Sequence, residues 1–143
     1  MLVQFDIILN ELLYGDLPCN SFSERLCKAK FYADYSQKTL SKATGLSLST
    51  INELEAGYRD TLTKNTLIKL LTVLDKKILC DDYCNFILNQ ENEITKLINA
   101  YNINILPDLL KVHRSTIKKW TSGKYQISRK QYELICILIA DIN

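Results

Sequence analysis

Leu46-Ser47-Leu48-Ser49-Thr50-Ile51-Asn52-Glu53-Leu54-Glu55-Ala56-Gly57 reads as one short helix with both ends marked. Ser47 is a residue type that caps a helix N-terminus, Leu48, Ile51 and Leu54 are separated by polar positions, and Gly57 ends the run. The pattern is written again as Val112-His113-Arg114-Ser115-Thr116-Ile117-Lys118-Lys119-Trp120-Thr121-Ser122-Gly123, with Ser-Thr-Ile and the closing glycine both 66 positions further on (49 to 115, 57 to 123). A chain of 143 residues holding such a repeat predicts two small units. Units of about 60 residues bury only about 60% of their unfolded surface, so the two are expected to lean on each other or on a partner chain.

On the N-terminal side of the first copy, Ser36 is a good cap for the helix Gln37-Lys38-Thr39-Leu40-Ser41-Lys42-Ala43-Thr44, and Gly45 suits the tight turn after it. Before that, a helix capped at Ser21 or Ser23 turns Leu26 and Ala29 inward, with Tyr35 in the following turn. After Gly57, a helix from about Thr63 to Asp75 carries Leu67, Leu70, Leu71 and Leu74 and closes the core. Residues 2–14 place Leu2, Phe5, Ile8, Leu9, Leu12 and Leu13 at helical spacing until Gly15-Asp16-Leu17-Pro18 stops the run. This helix lies outside either repeat, and two readings of it stay open: a lid on the first core or a dimer contact.

No Gly/Ser linker separates the copies. The segment 79–90 reads as a connection, helical in its middle, where Tyr83, Phe86, Ile87 and Leu88 form an apolar group and Cys80 and Cys84 fall one turn apart. The second unit opens with Ile94, Leu97, Ile98 and Tyr101. Asn104 is expected to cap its second helix, which puts Pro107 in a first turn, where no internal hydrogen bond is lost. A last helix from Ser128 to about Ile142 offers Tyr132, Ile135, Cys136, Leu138 and Ile139 to the core. Alternation of period two is absent over any useful length, so roughly nine or ten helices and no sheet are expected.

Glu24-Arg25-Leu26-Cys27-Lys28-Ala29, Tyr35-Ser36-Gln37, Leu40, Gly45-Leu46-Ser47, Ser49-Thr50-Ile51, Glu55 and Gly57 closely resemble the Cro and phage-repressor class of helix-turn-helix domains. The resemblance covers about residues 21–78. A looser one covers 91–140 through Val112, Arg114, Ser115, Thr116, Ile117, Trp120 and Gly123, and departs from the first at Ile103 (for Gln37) and Lys111 (for Gly45). It implies an all-α protein with two tandem helix-turn-helix domains of the lambda-repressor-like type and an extra N-terminal helix. The divisions are then 1–20 for that helix, 21–78 and 91–143 for the domains, and 79–90 for the connection.

The function the resemblance implies is sequence-specific binding of double-stranded DNA by a transcriptional regulator, a repressor, with recognition helices in the major groove. Such a helix must present short polar or basic side chains from its first turns. In the second copy these are His113, Arg114 and Ser115, followed by Lys118 and Lys119, with Lys124 beyond. Arg114 suits two parallel hydrogen bonds to guanine, and Lys118, Lys119 and Lys124 suit phosphates. In the first copy direct readout falls to Ser47, Ser49, Thr50 and Asn52. Gln37 resembles the family's phosphate-contacting residue at the start of the preceding helix, and Arg59 is placed to meet the backbone beyond the motif.

Charge supports the second copy more than the first. Residues 1–90 hold 10 Lys/Arg against 11 Asp/Glu, while 91–143 hold 8 against 5; within 111–130 there are seven basic residues and no acidic one. A one-sign patch attracts a polyanion. The near-neutral first copy leaves a rival reading: a protein-binding inhibitor or adaptor of phage or mobile-element origin, anti-defence or anti-repressor, that keeps one helix-turn-helix for autoregulation and takes a protein partner through the first unit.

Five cysteines without CxxC spacing and one histidine argue against zinc, and no other cofactor is expected. No Ser/His/Asp, paired-carboxylate or glycine-rich phosphate motif is assembled, so an enzyme is not expected. The absence of a long apolar run and of a charged leader predicts a cytoplasmic protein without a membrane partner, and a homodimer is a further expectation.

Overall fold

Side-chain caps mark where many, though not all, of the described helices begin. The computed structural model describes residues 2–59 and 62–142 and, among them, eleven helices and no strand. Contacts divide it into two units, Met1–Cys80 and Asp81–Asn143.

The first unit holds α1 (Leu2–Tyr14), α2 (Phe22–Tyr32), α3 (Gln37–Thr44), α4 (Leu48–Ala56), α5 (Lys64–Leu70) and α6 (Lys76–Leu79). Ser21, Ser36, Ser47 and Thr63 each take an extended conformation and accept a hydrogen bond from the backbone N–H three residues on. At Ser36 the bond is reciprocated, because its own N–H donates to Thr39 Oγ1 at 2.8 Å. Gly45 and Gly57 stop α3 and α4 in the left-handed region, at φ 78° and 77°. Leu26, Ala29, Leu40, Leu46, Ile51, Leu54, Leu67, Leu70, Leu74 and Leu79 are buried. Arg25 is buried among them, its Nε donating to the Leu79 carbonyl at 3.0 Å, which ties α2 to the end of α6.

Two expectations for this unit need correction. The helix expected from Thr63 to Asp75 ends at Leu70, and Asp75 instead caps α6 by accepting from Lys77 N at 3.0 Å. The Thr72 hydroxyl bonds back to the Lys69 carbonyl at 2.6 Å, where a side chain competes with the helical ladder. The other concerns how α1 packs: its contact with α2 is not made by its described aliphatic side chains. Asn10 donates to the Tyr32 carbonyl, Glu11 accepts from the Tyr32 hydroxyl, and Tyr14 stacks on Phe31 with centroids 5.4 Å apart. This polar and aromatic edge docks the helix, while Ile7, Ile8, Leu9, Leu12 and Leu13 stay exposed. Leu2 and Phe5 belong to the same spacing, but their side chains lie outside the described residues.

The second unit holds α7 (Asp82–Leu88), α8 (Gln90–Tyr101), α9 (Leu106–Leu110), α10 (Arg114–Thr121) and α11 (Arg129–Ile142). Cys80 and Cys84 do not share a helix: Cys80 follows α6 in an extended conformation and Cys84 is on α7, whose cap Asp81 accepts from its N–H. Asn104 is not a cap. The turn 103–105 leads into α9 without one, and Asn102, at φ 73°, accepts from Asn104 N instead. Pro107 falls in the first turn of α9, as its lost N–H requires. Lys111 then occupies the left-handed region at φ 56°, and Gly123 does so at φ 78° after α10.

Gln90 organises the loop between α10 and α11. Buried on α8, it donates from Nε2 to the Trp120 and Tyr125 carbonyls (3.1 and 2.8 Å) and accepts from Ile127 N at 2.8 Å. The Tyr83 hydroxyl donates to the Ile127 carbonyl at 2.7 Å. Tyr132 packs its ring on Tyr83 and Phe86, and burial, then its bond with Cys136, pushes its hydroxyl well above the usual tyrosine range.

Replacing Gln90 by leucine keeps volume but strands a buried N–H and two carbonyls, a loss expected to cost about 2 kcal/mol or more in a urea titration. A cost well under 1 kcal/mol would show that water reaches this loop.

Left-handed strain is the second testable feature. Gly45→Ala has no clash to meet, so its expected cost of about 1 kcal/mol is conformational alone. Lys111→Gly is expected to act in the opposite sense, stabilising by about 0.5–1 kcal/mol after the entropy of the added glycine is offset. Equal signs for the two changes would contradict the assignment of strain to Lys111.

Candidate nucleic-acid interface

In the first unit, the turn joining α3 to α4 is held by side chains that bond to the backbone. Ser41 donates to the Leu46 carbonyl at 2.6 Å, Thr44 donates to the Leu40 carbonyl at 2.7 Å, and Thr44 Oγ1 accepts from Leu46 N. Leu40 and Ile51 are completely buried between the two helices and their neighbours. These contacts leave the N-terminal turns of α4 facing solvent.

Ser47, Ser49 and Asn52 are exposed there, and Thr50 is half-buried. Ser47, Ser49 and Thr50 already bond to one another: Ser47 Oγ lies 3.2 Å from Ser49 Oγ and 2.8 Å from Thr50 Oγ1. Ser47 also accepts from Thr50 N, so its lone pairs are largely committed to the cap. Gln37, the first residue of α3, is half-buried and donates through Nε2 to Glu55 Oε2. Glu55 in turn forms a buried ion pair with Lys30 at 2.8 Å, so a chain from α2 through α4 holds the Gln37 amide in place. A buried pair of this kind fixes geometry more than it stabilises. Burial, with Glu55 adding to it and Lys30 opposing, raises the Cys27 thiol above its ordinary pKa.

Arg59, expected to meet the phosphate backbone, is engaged by an acidic side chain of its own unit. Its Nε donates to Glu53 Oε2 at 2.7 Å, and both side chains are exposed. The basic group beyond the motif is therefore paired with the only acidic group on the exposed side of α4, apart from the buried Glu55 carboxylate. Sequence reading passed over Tyr58, which is 82% exposed beside this face. Its position directly after the glycine that ends α4 was the available signal.

The second unit brings together a different set. His113 stands at the N-cap of α10 in an extended conformation without a side-chain cap bond, since imidazole lacks the short reach of serine. Arg114, Ser115, Lys118 and Lys124 are exposed, and Lys119 is half-buried. Arg114 Nη1 donates to Asn104 Oδ1 at 3.3 Å, and Lys119 Nζ lies over the Tyr125 ring, 4.7 Å from its centroid. Ile117 and Trp120, completely or almost completely buried, turn α10 so that these side chains face outward. One member of the acid-free stretch is neutralised from outside it: Arg129 pairs with Asp81 at 3.1 Å and covers the Tyr83 ring. The unpaired positive charge of the face is thus smaller than the sequence count implies.

No curated protein and no solved structure matches the chain significantly. A family model described as Helix-turn-helix matches residues 33–79, the segment that runs from the end of α2 through α3, α4 and α5 to α6. With the capped two-helix geometry on either side of Gly45, that match makes residues 33–79 a member of the helix-turn-helix family of DNA-binding domains, the class of Cro and the phage repressors.

Proposed function

We propose that the chain is a cytoplasmic, sequence-specific transcriptional regulator, acting as a repressor, with one DNA-reading domain in each of its two units. The observation that carries the second domain is positional. At the repeat offset, Leu40 and Leu106, Ile51 and Ile117, and Leu54 and Trp120 are buried, while Gly45 and Lys111, and Gly57 and Gly123, are left-handed. A lysine takes up a conformation that disfavours it, at the place where the first copy uses glycine, when the same chain reversal has to be made.

On this reading Ser49, Thr50 and Asn52, with Ser47 at the cap, face bases from α4, and Gln37 donates its second amide hydrogen to a phosphate. Arg114, Ser115 and His113 face bases from α10. Lys118, Lys119 and Lys124 neutralise phosphates, and Arg59 reaches one only by leaving Glu53. A second reading, in which the first unit takes a protein partner, is favoured by one observation: α4 has no basic side chain, and Leu48 and Tyr58 are exposed on or beside it.

Fluorescence anisotropy with random and selected duplexes at two salt concentrations separates these readings. Arg114→Ala is expected to weaken selected-site binding by about 1–3 kcal/mol and to relax preference at one base pair. Lys118→Glu with Lys119→Glu is expected to abolish binding and flatten the salt dependence, with a smaller loss for Gln37→Ala. Binding unaffected by all of these changes favours the protein-partner reading. No affinity of the unaltered chain for any duplex removes the regulator reading altogether.

A further inference from the structure

Arg114, the residue of α10 best suited to read a guanine, is held by a residue of the turn that precedes α9. Its Nη1 donates to Asn104 Oδ1 at 3.3 Å. A guanidinium only donates, so the bond fixes which way round the Asn104 amide stands, with its oxygen toward Arg114. It also leaves the Nε–Nη2 edge of the fork uncommitted among the described residues, and that edge carries the parallel pair of donors that a guanine accepts. We propose that Asn104 is a positioning residue, which holds the Arg114 fork in the orientation that meets a guanine in the major groove. This role rests on the reading of α10 as a DNA-contacting helix.

Two observations single out the bond. First, the turn that carries Asn104 is built against the preference of its own backbone. Asn102 stands at φ 73° and ψ 139°, a conformation that residues other than glycine rarely take. Its N–H donates to the Ile98 carbonyl at 2.8 Å, and its carbonyl accepts from Ile105 N and Leu106 N at 3.1 and 3.0 Å. Its side-chain oxygen accepts from Asn104 N at 3.1 Å, and Leu106 just beyond is completely buried. Strain of this kind persists where surrounding contacts over-determine a position, and here they fix the backbone of Asn104. Second, donor and acceptor occur as a pair. At the repeat offset the two places are taken in the first copy by Lys38 and Leu48 (38 to 104, 48 to 114), which have no hydrogen bond to offer one another. An acceptor has been placed within reach of α10 in the copy that carries an arginine there. An exposed arginine samples many rotamers, and each one lost before binding is one that DNA does not have to freeze.

Two measurements on the full-length chain test this role, one of them without DNA. NMR relaxation of the Arg114 Nε is expected to give an order parameter of about 0.6 or more. It is expected to fall well below that in Asn104→Ala and to persist in Asn104→Asp, which keeps an acceptor at the same reach. Equal mobility in the unaltered chain and in Asn104→Ala overturns the proposal. Loss of order in both variants overturns it too, because the turn and not the bond is then what matters. With duplexes, Asn104→Ala is expected to lower the preference at the base pair that Arg114 reads by about fivefold or more. Preference at other pairs and the unfolding midpoint are expected to stay unchanged, and the change is expected to add nothing in an Arg114→Ala background. A preference that does not fall, or that falls as much without Arg114, overturns the role and leaves the regulator reading intact. No affinity of the unaltered chain for any duplex, with Arg114 ordered, removes the regulator reading and this role with it.

Discussion

In each unit a chain reversal must fit into three residues: one in the left-handed region, one apolar, and one extended enough to precede the next helix. Gly45, Leu46 and Ser47 meet these needs without conflict, and the hydroxyls of Ser41 and Thr44 bond the backbone on either side. Lys111, Val112 and His113 make the same reversal with a strained lysine and a cap that accepts no side-chain bond. The second unit braces the helix that follows this turn from further away, through Gln90, Tyr83 and the buried Trp120. Local chemistry defines the turn in one unit, and tertiary packing imposes it in the other.

The same contrast explains what could be read in the sequence. Ser36, Ser47, Gly45 and Gly57 were legible because caps and left-handed glycines act over three or four residues. The inward faces of α2 and α4 followed from helical period alone, at Leu26, Ala29, Ile51 and Leu54. Where two local signals compete, the reading failed. Asp75 could close one helix or open another, and Asn104 could cap a helix that Asn102 in fact precedes with a turn. Contacts between residues far apart in sequence were not legible at all, and these include the pairing of Arg129 with Asp81 and the docking edge of α1.

The candidate surfaces differ in electrostatic design. On α4 small hydroxyls and one amide are exposed, and the acidic Glu53 is matched by Arg59. Such a face has little long-range attraction and can discriminate only at contact distance. On α10 three exposed or half-buried cations, Arg114, Lys118 and Lys119, and one guanidinium-to-amide bond stand on a strongly amphipathic helix. A field of one sign on such a face reaches about a Debye length, about 8–10 Å at ordinary salt. In a chain holding both, capture and discrimination need not fall on the same helix.

Lys119 illustrates a subtler economy. An exposed lysine samples many rotamers, and fixing them costs up to about 2 kcal/mol of conformational entropy. Held with its ammonium over the Tyr125 ring, this side chain gives up part of that freedom before any ligand arrives. An anion reaching it meets a charge whose position is already set. Neighbouring Lys118 is exposed and has no ring contact among the described residues, so two adjacent residues of one type differ in how far their charge is positioned in advance.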